Sequence, residues 1–121
     1  MLERLLDLVN ADAALVRRGR FVATTFLIGI DDDNYLVRIS EGRVASVTRG
    51  PFITPSYSFA LRASRAAWEQ FWQPLPAVGC NDVFALVKRK LMRIEGDLHP
   101  FMANLLYFKD VLASLRKEAA Q

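Results

Sequence analysis

The N-terminal stretch spaces Leu2, Leu5, Leu6 and Val9, then Ala13 and Val16, at helical intervals, which predicts one helix over residues 2–17. Gly19 follows as its terminator, since glycine accepts the left-handed backbone that ends many helices. The period then shortens to two. Residues 21–30 are rich in β-branched and aromatic types, and residues 35–40 alternate apolar with polar. Asp31-Asp32-Asp33-Asn34 between them is a set of turn formers, so the pair reads as a hairpin. Glu41-Gly42 makes a second tight turn into a strand over 43–49, which Gly50-Pro51 breaks. Tyr57, Phe59 and Leu61 alternate with Ser58, Ala60 and Arg62 as a fourth strand.

Ser64 is placed to cap a short amphipathic helix carrying Trp68, Phe71 and Trp72, ended by Pro74 and Pro76. Asn81 or Asp82 caps another, with Val83, Phe84 and Val87. Residues 91–95 form a fifth strand with Met92 and Ile94 on one face, and Gly96-Asp97 turns the chain. Pro100 suits the first turn of a last helix, where its missing N–H costs nothing. Phe101, Leu105, Phe108, Leu112 and Leu115 then make a continuous stripe, widened by Met102 and Leu106. Such a stripe must be covered by the sheet, a ligand or another chain. The expected architecture is α+β: one five-stranded, largely antiparallel sheet covered on one side by helices, in a single domain over residues 1–121.

At 121 residues the chain has enough length to build a core without covalent staples. Cys80 is the single cysteine, so no internal disulfide forms and a reducing compartment is expected. Glu3, Arg4 and Asp7 interrupt the first apolar run, unlike an export signal, and no segment reaches the roughly 20 apolar residues that span a bilayer. The expected location is the cytoplasm. The net charge of +3 gathers at Arg17-Arg18-Gly19-Arg20 and Lys88-Arg89-Lys90, which reads first as a solvated face with a modest positive excess and, as the alternative, as patches for phosphates or for transient contact with an anionic membrane surface. Nucleic-acid binding would need a broader basic stripe or stacking aromatics beside it, and neither is present.

Candidate chemistry is sparse. His99 has no second histidine with which to share a metal and reads as structural. The three aspartates at 31–33 lack calcium-loop spacing, and Cys80 lacks an activating neighbour. Ser56, Ser58 and Ser64 lie in no nucleophile-elbow pattern, no glycine-rich phosphate loop occurs, and Glu95-Gly96-Asp97 reads as a strand end. No catalytic residue, metal or cofactor is expected. The apolar excess is what remains: a filled core, a pocket for an apolar ligand, or a dimer interface.

The segments Phe26-Leu27-Ile28-Gly29-Ile30 and Tyr35-Leu36-Val37-Arg38-Ile39, then Glu41-Gly42-Arg43-Val44 and Tyr57-Ser58-Phe59-Ala60-Leu61, follow one another in an order that resembles the sterol carrier protein 2 family. Lys90-Leu91-Met92-Arg93-Ile94-Glu95-Gly96-Asp97 before the last helix completes the likeness, which runs over roughly residues 12 to 117. The resemblance implies helices and sheet enclosing an apolar tunnel for a sterol, fatty acid, fatty acyl-CoA or isoprenoid quinone precursor. On that reading the walls are Val37, Phe59, Trp68, Phe71, Trp72, Phe84, Met92, Leu105, Phe108 and Leu112. Lys88, Arg89, Lys90 and Arg93 would meet a charged head group. The chain departs from animal carriers in its Ala119-Ala120-Gln121 ending, which is not a peroxisomal Ser-Lys-Leu, and in the aromatic density around Trp68–Trp72. Two other readings stand beside it. One is an accessory or interaction subunit, as in ubiquinone synthesis, whose apolar helix face docks on a partner enzyme or a second copy. The other is a small proton-transfer enzyme, which would need an acid–base group in the pocket.

Overall fold

A computed structural model describes residues 2–53, 55–76, 79, 80 and 82–116. The capping role considered for Asn81 and the ending Ala119-Ala120-Gln121 lie outside the described residues. The elements run α1 (Arg4–Asn10), α2 (Ala13–Arg18), β1 (Ala23–Ile30), β2 (Asp33–Ser40), β3 (Arg43–Arg49), β4 (Phe59–Ala63), α3 (Arg65–Phe71), α4 (Val83–Lys88), β5 (Met92–Gly96), α5 (His99–Ala103) and α6 (Leu105–Ala113). The sheet has the order β3-β2-β1-β4-β5. Both hairpins are antiparallel as expected, β4 and β5 are antiparallel, and β4 lies parallel to β1 with Phe26 opposite Phe59.

Strand alternation decides the core. Phe26 and Ile28 on β1, Val37 and Ile39 on β2, Phe59 and Leu61 on β4 and Met92 on β5 are buried on one face, together with the inner faces of the helices. The opposite face carries exposed or half-buried polar side chains, among them Arg38, Arg62, Arg93 and Glu95.

Four expectations need correction. The helix predicted over 2–17 is two: Asp12 takes an extended conformation and its side chain accepts the Leu15 N–H, restarting the helix and burying Leu15. The last helix is also two, parted at Asn104, so Met102 and Leu106 do not widen the buried stripe and are 52% and 70% exposed. The fourth strand starts at Phe59, leaving Tyr57 before it and partly exposed. Gly19 ends α2 without a left-handed turn, at φ −96°. It is glycine for another reason: a Cβ there would lie 2.2 Å from the Tyr107 ring.

Ser64 caps α3 as expected, accepting the Ala67 N–H at 3.1 Å, and Asp82 occupies the cap position of α4 without a side-chain bond to it. In the α1–α2 layer, the Asn10 carboxamide both donates to the Val44 carbonyl (3.0 Å) and accepts from the Val44 N–H (2.8 Å).

Tyr107 ties the last helix to the β2–β3 turn. Its hydroxyl donates to the Gly42 carbonyl at 2.7 Å, and the side chain is buried. Burial pushes its ionisation up from 10 to about 12, because the phenolate would lose its hydration. The folded state therefore binds this proton more tightly than the unfolded chain does. Its contribution is complete below pH 10 and is lost as the pH rises through 12. We expect unfolding free energy to fall by on the order of 2 kcal/mol across that window, and Tyr107→Phe to remove this part of the slope in alkaline urea titrations.

Candidate functional site

The expected wall residues are brought together between the sheet and the helices. Val37, Phe59, Trp68, Phe71, Trp72, Met92, Phe108 and Leu112 are buried in one cluster, and Phe84 and Leu105 pack half-buried at its margin. Phe59 is the centre. Its ring stacks on Phe26 (5.1 Å, 8°) and meets Phe101 and Phe108 edge-on, each at 5.3 Å; Phe84 extends the chain of rings through Phe101 at 5.9 Å. Trp68 on α3 and Trp72 at its C-terminal cap stack at 5.0 Å. Their indole N–H groups donate to the Gly29 and Leu112 carbonyls, both at 2.9 Å, so neither tryptophan buries an unpaired polar atom. These rings touch one another directly. A guest between the layers has to part them.

Sequence reading passed over Phe26 as a wall residue, because a strand buried within the sheet gives no sign of which ring it will meet. Tyr107 escaped for a similar reason: it lies off the apolar stripe and is buried by α2, not by the sheet alone.

The cationic residues separate. Arg89 directs a guanidinium N–H to the Cys80 sulfur at 3.3 Å, and Lys88 is exposed at the end of α4. Lys90 and Arg93 instead line an open cleft of about 820 Å³ at the end of the sheet, with Asp31, Asp32, Arg62, Ala63, Ser64, Leu91 and Met92. Met92 is 2% exposed and also belongs to the core cluster, so the cleft floor is the edge of the core.

Two local conformations in this cleft run against the fold's own preference. Lys90 N–H donates to the Val87 carbonyl (3.0 Å) and Leu91 N–H to the Leu86 carbonyl (2.9 Å), which closes α4 in a Schellman turn. That turn wants glycine at its left-handed residue, yet Lys90 occupies it at φ 61°, at a cost of roughly 1–2 kcal/mol. Arg62 and Arg93 are direct cross-strand partners in the β4–β5 pair, a like-charge juxtaposition. Glu95 relieves it by accepting from Arg62 Nε at 2.6 Å, and Arg62 crosses bare Gly29 to donate to Asn34 Oδ1 at 3.0 Å.

Other candidate groups hold structural posts. Asp31 accepts the Arg65 N–H at 3.1 Å, the His99 N–H goes to Asp97 Oδ1 at 3.1 Å, and the Ser58 hydroxyl meets Thr24 at 2.8 Å. Among the described residues no group of three or more His, Cys, Asp or Glu side chains is arranged to hold a metal ion, and no helix is long and apolar enough to cross a membrane.

No protein-family model matches the sequence, and no curated protein matches it significantly. Solved structures do match. The crystal structure of sterol carrier protein 2 superposes with a TM-score of 0.75 at 10% identity, covering 93% of this chain and 91% of that one. The Thermus thermophilus protein TT1886, which its describers relate to sterol carrier protein, gives 0.64 at 11% identity over 93% and 84% of the two chains. The ubiquinone synthesis protein UbiJ-SCP2 gives 0.62 at 13% identity over 96% and 88%. With its mixed five-stranded sheet and helical layer, the chain has the sterol carrier protein 2 fold.

Proposed function

We propose that this protein binds a lipid-like apolar molecule between sheet and helices, as a carrier and not as a catalyst. The observation that carries this reading is Met92, which joins an aromatic core to an open cleft of a size that takes small molecules. An acyl chain or sterol entering past Met92 would lie among Phe59, Phe84, Leu105 and Phe108, with Val37, Trp68, Phe71, Trp72 and Leu112 as the deeper walls. Each CH₂ buried there contributes roughly 0.8 kcal/mol, which offsets the cost of parting the rings. Methionine is the side chain best able to swing aside without leaving a polar atom unpaired. The named neighbours, sterol carrier protein 2 and the ubiquinone synthesis protein UbiJ-SCP2, support the ligand class, and a cytoplasmic carrier is the setting we infer.

Mass spectrometry of an organic extract from the purified protein tests this directly. A stoichiometric lipid, quinone or acyl species is the expected result, with Met92→Trp, which fills the entrance, emptying the extract while the protein stays folded. An extract that is clean, with no uptake of fluorescent fatty acid, rejects the reading.

A second reading has its own observation. Leu98 just before α5, Met102 on α5 and Leu106 on α6 are exposed apolar side chains. This is a different surface from the stripe expected to dock, since Phe101, Phe108 and Leu112 are already covered by the core. An accessory subunit would use that outer row on a partner enzyme or a second copy. A monomer by light scattering that Leu106→Glu leaves unchanged in both mass and co-purifying protein counts against it.

A further inference from the structure

We propose that the cleft at the end of the sheet takes a phosphate group, and that Lys90, Arg93 and Arg62 are its ligands. The inference rests on the lipid-binding reading for where the rest of the molecule goes, and adds to it the chemistry of the head group: a phosphomonoester amphiphile.

Three cations reach this cleft from two segments: Arg62 at the β4 end, and Lys90 and Arg93 three residues apart where the α4–β5 turn enters β5. Arg62 ties β4 to Glu95 and Asn34, but Lys90 and Arg93 do little for the fold. A glycine would serve the Schellman turn better than Lys90, and a neutral residue would serve the cross-strand pair better than a second arginine. Strained or repulsive local arrangements that the rest of a structure sustains are characteristic of binding sites. Among the described residues Lys90 makes no ion pair, and Arg93 is 76% exposed with Glu95 no nearer than 3.9 Å. Arg62 is already held by Glu95 and Asn34, so its guanidinium is positioned before any ligand arrives.

A phosphate answers the geometry better than a carboxylate. Its three peripheral oxygens can engage the flat guanidinium of Arg93 in two parallel bonds while Lys90 supplies a point charge. The carboxylates that line the cleft are Asp31, whose oxygen is engaged by the Arg65 N–H, and Asp32. They disfavour a deeply seated free anion and favour one delivered on an apolar tail, since the tail's burial past Met92 adds to a modest electrostatic attraction.

Titrations with oleoyl lysophosphatidate, neutral monooleoylglycerol and inorganic phosphate, below micelle formation, separate the terms. We expect the phosphorylated lipid to bind at least tenfold tighter than the neutral one. Lys90→Gly should weaken lysophosphatidate about fivefold, leave monooleoylglycerol unchanged, and raise the thermal midpoint by relieving the turn. Arg93→Gln should act in the same direction on binding, whereas Arg43→Gln, on the far edge strand, should not. Equal affinity for the two lipids, or a Lys90→Gly protein that binds lysophosphatidate as tightly as the parent, overturns the proposal and leaves the carrier reading standing. Amide shifts at Lys90 and Arg93 on adding inorganic phosphate, abolished by Lys90→Gly, with neither lipid taken up, would sustain the phosphate site and remove the carrier reading.

Discussion

Phe59→Ala should cost about 3–5 kcal/mol of unfolding free energy, read as a shift of the urea midpoint at unchanged slope. The ring is fully buried and meets three others, on β1, α5 and α6. Its loss leaves a void where β4 meets both C-terminal helices. Backbone relaxation cannot fill it, because Phe59 is paired on both sides, with Phe26 and with Gly96. A domain of this size holds only about 5–15 kcal/mol in all, so the variant will be marginal at 37 °C. Phe59→Leu should recover more than half the loss. A cost under 1 kcal/mol for Phe59→Ala would mean that the layers already part easily around this ring.

The second large effect is expected at Gly42→Ala, at roughly 3 kcal/mol or more. Gly42 has φ 79°, and a Cβ there would sit 2.4 Å from the Val16 carbonyl oxygen and 2.8 Å from the Gly19 carbonyl carbon. Both obstacles are backbone, so no rotamer change removes them. Moving the turn to make room would also pull the Gly42 carbonyl from the Tyr107 hydroxyl, leaving a buried donor without its partner. Its neighbour Glu41, at φ 54°, supplies the contrast. Glu41→Gly relieves strain without adding an atom and, like Lys90→Gly, should stabilise, by up to about 1 kcal/mol. Equal effects at the two positions in paired thermal melts would show that conformation, not crowding, governs this turn.

Local signals in this sequence are faithful wherever a short segment decides its own fate. The hairpin turns, the Ser64 cap and the inward alternation of Val37, Phe59, Leu61 and Met92 depend on a few consecutive residues, and all appear in the structure. Failures occur where periodicity is asked to report continuity. Apolar spacing runs on through Asp12 and through Asn104, yet the chain breaks at each, because three- and four-residue spacings survive a reset of the helix axis. Exposure of Met102 and Leu106 follows from that reset. Strand order was not legible either: that β1 pairs with β4 in parallel is a long-range choice carried by stacking such as Phe26 on Phe59. Of the candidate site, the apolar walls could be named from alternation and helix faces. Of the cleft, Lys90 and Arg93 could be named as head-group candidates but Arg62 could not, since its place opposite Arg93 is a long-range choice of strand pairing.

The carboxamide of Asn10 has a consequence for the molecule's behaviour in a crowded solution. β3 is an outermost strand, and a bare outer strand is a template on which a second copy can continue the ladder. By occupying both the donor and the acceptor of Val44, Asn10 withdraws one full rung from that template near its start. The irregular register between Arg38 and Ile39 of β2 and their β3 partners bends the ladder close to the same rung. At that rung a single side chain acts as a false neighbouring strand, so the α1–α2 layer hinders growth from the start of this edge as well as covering the core.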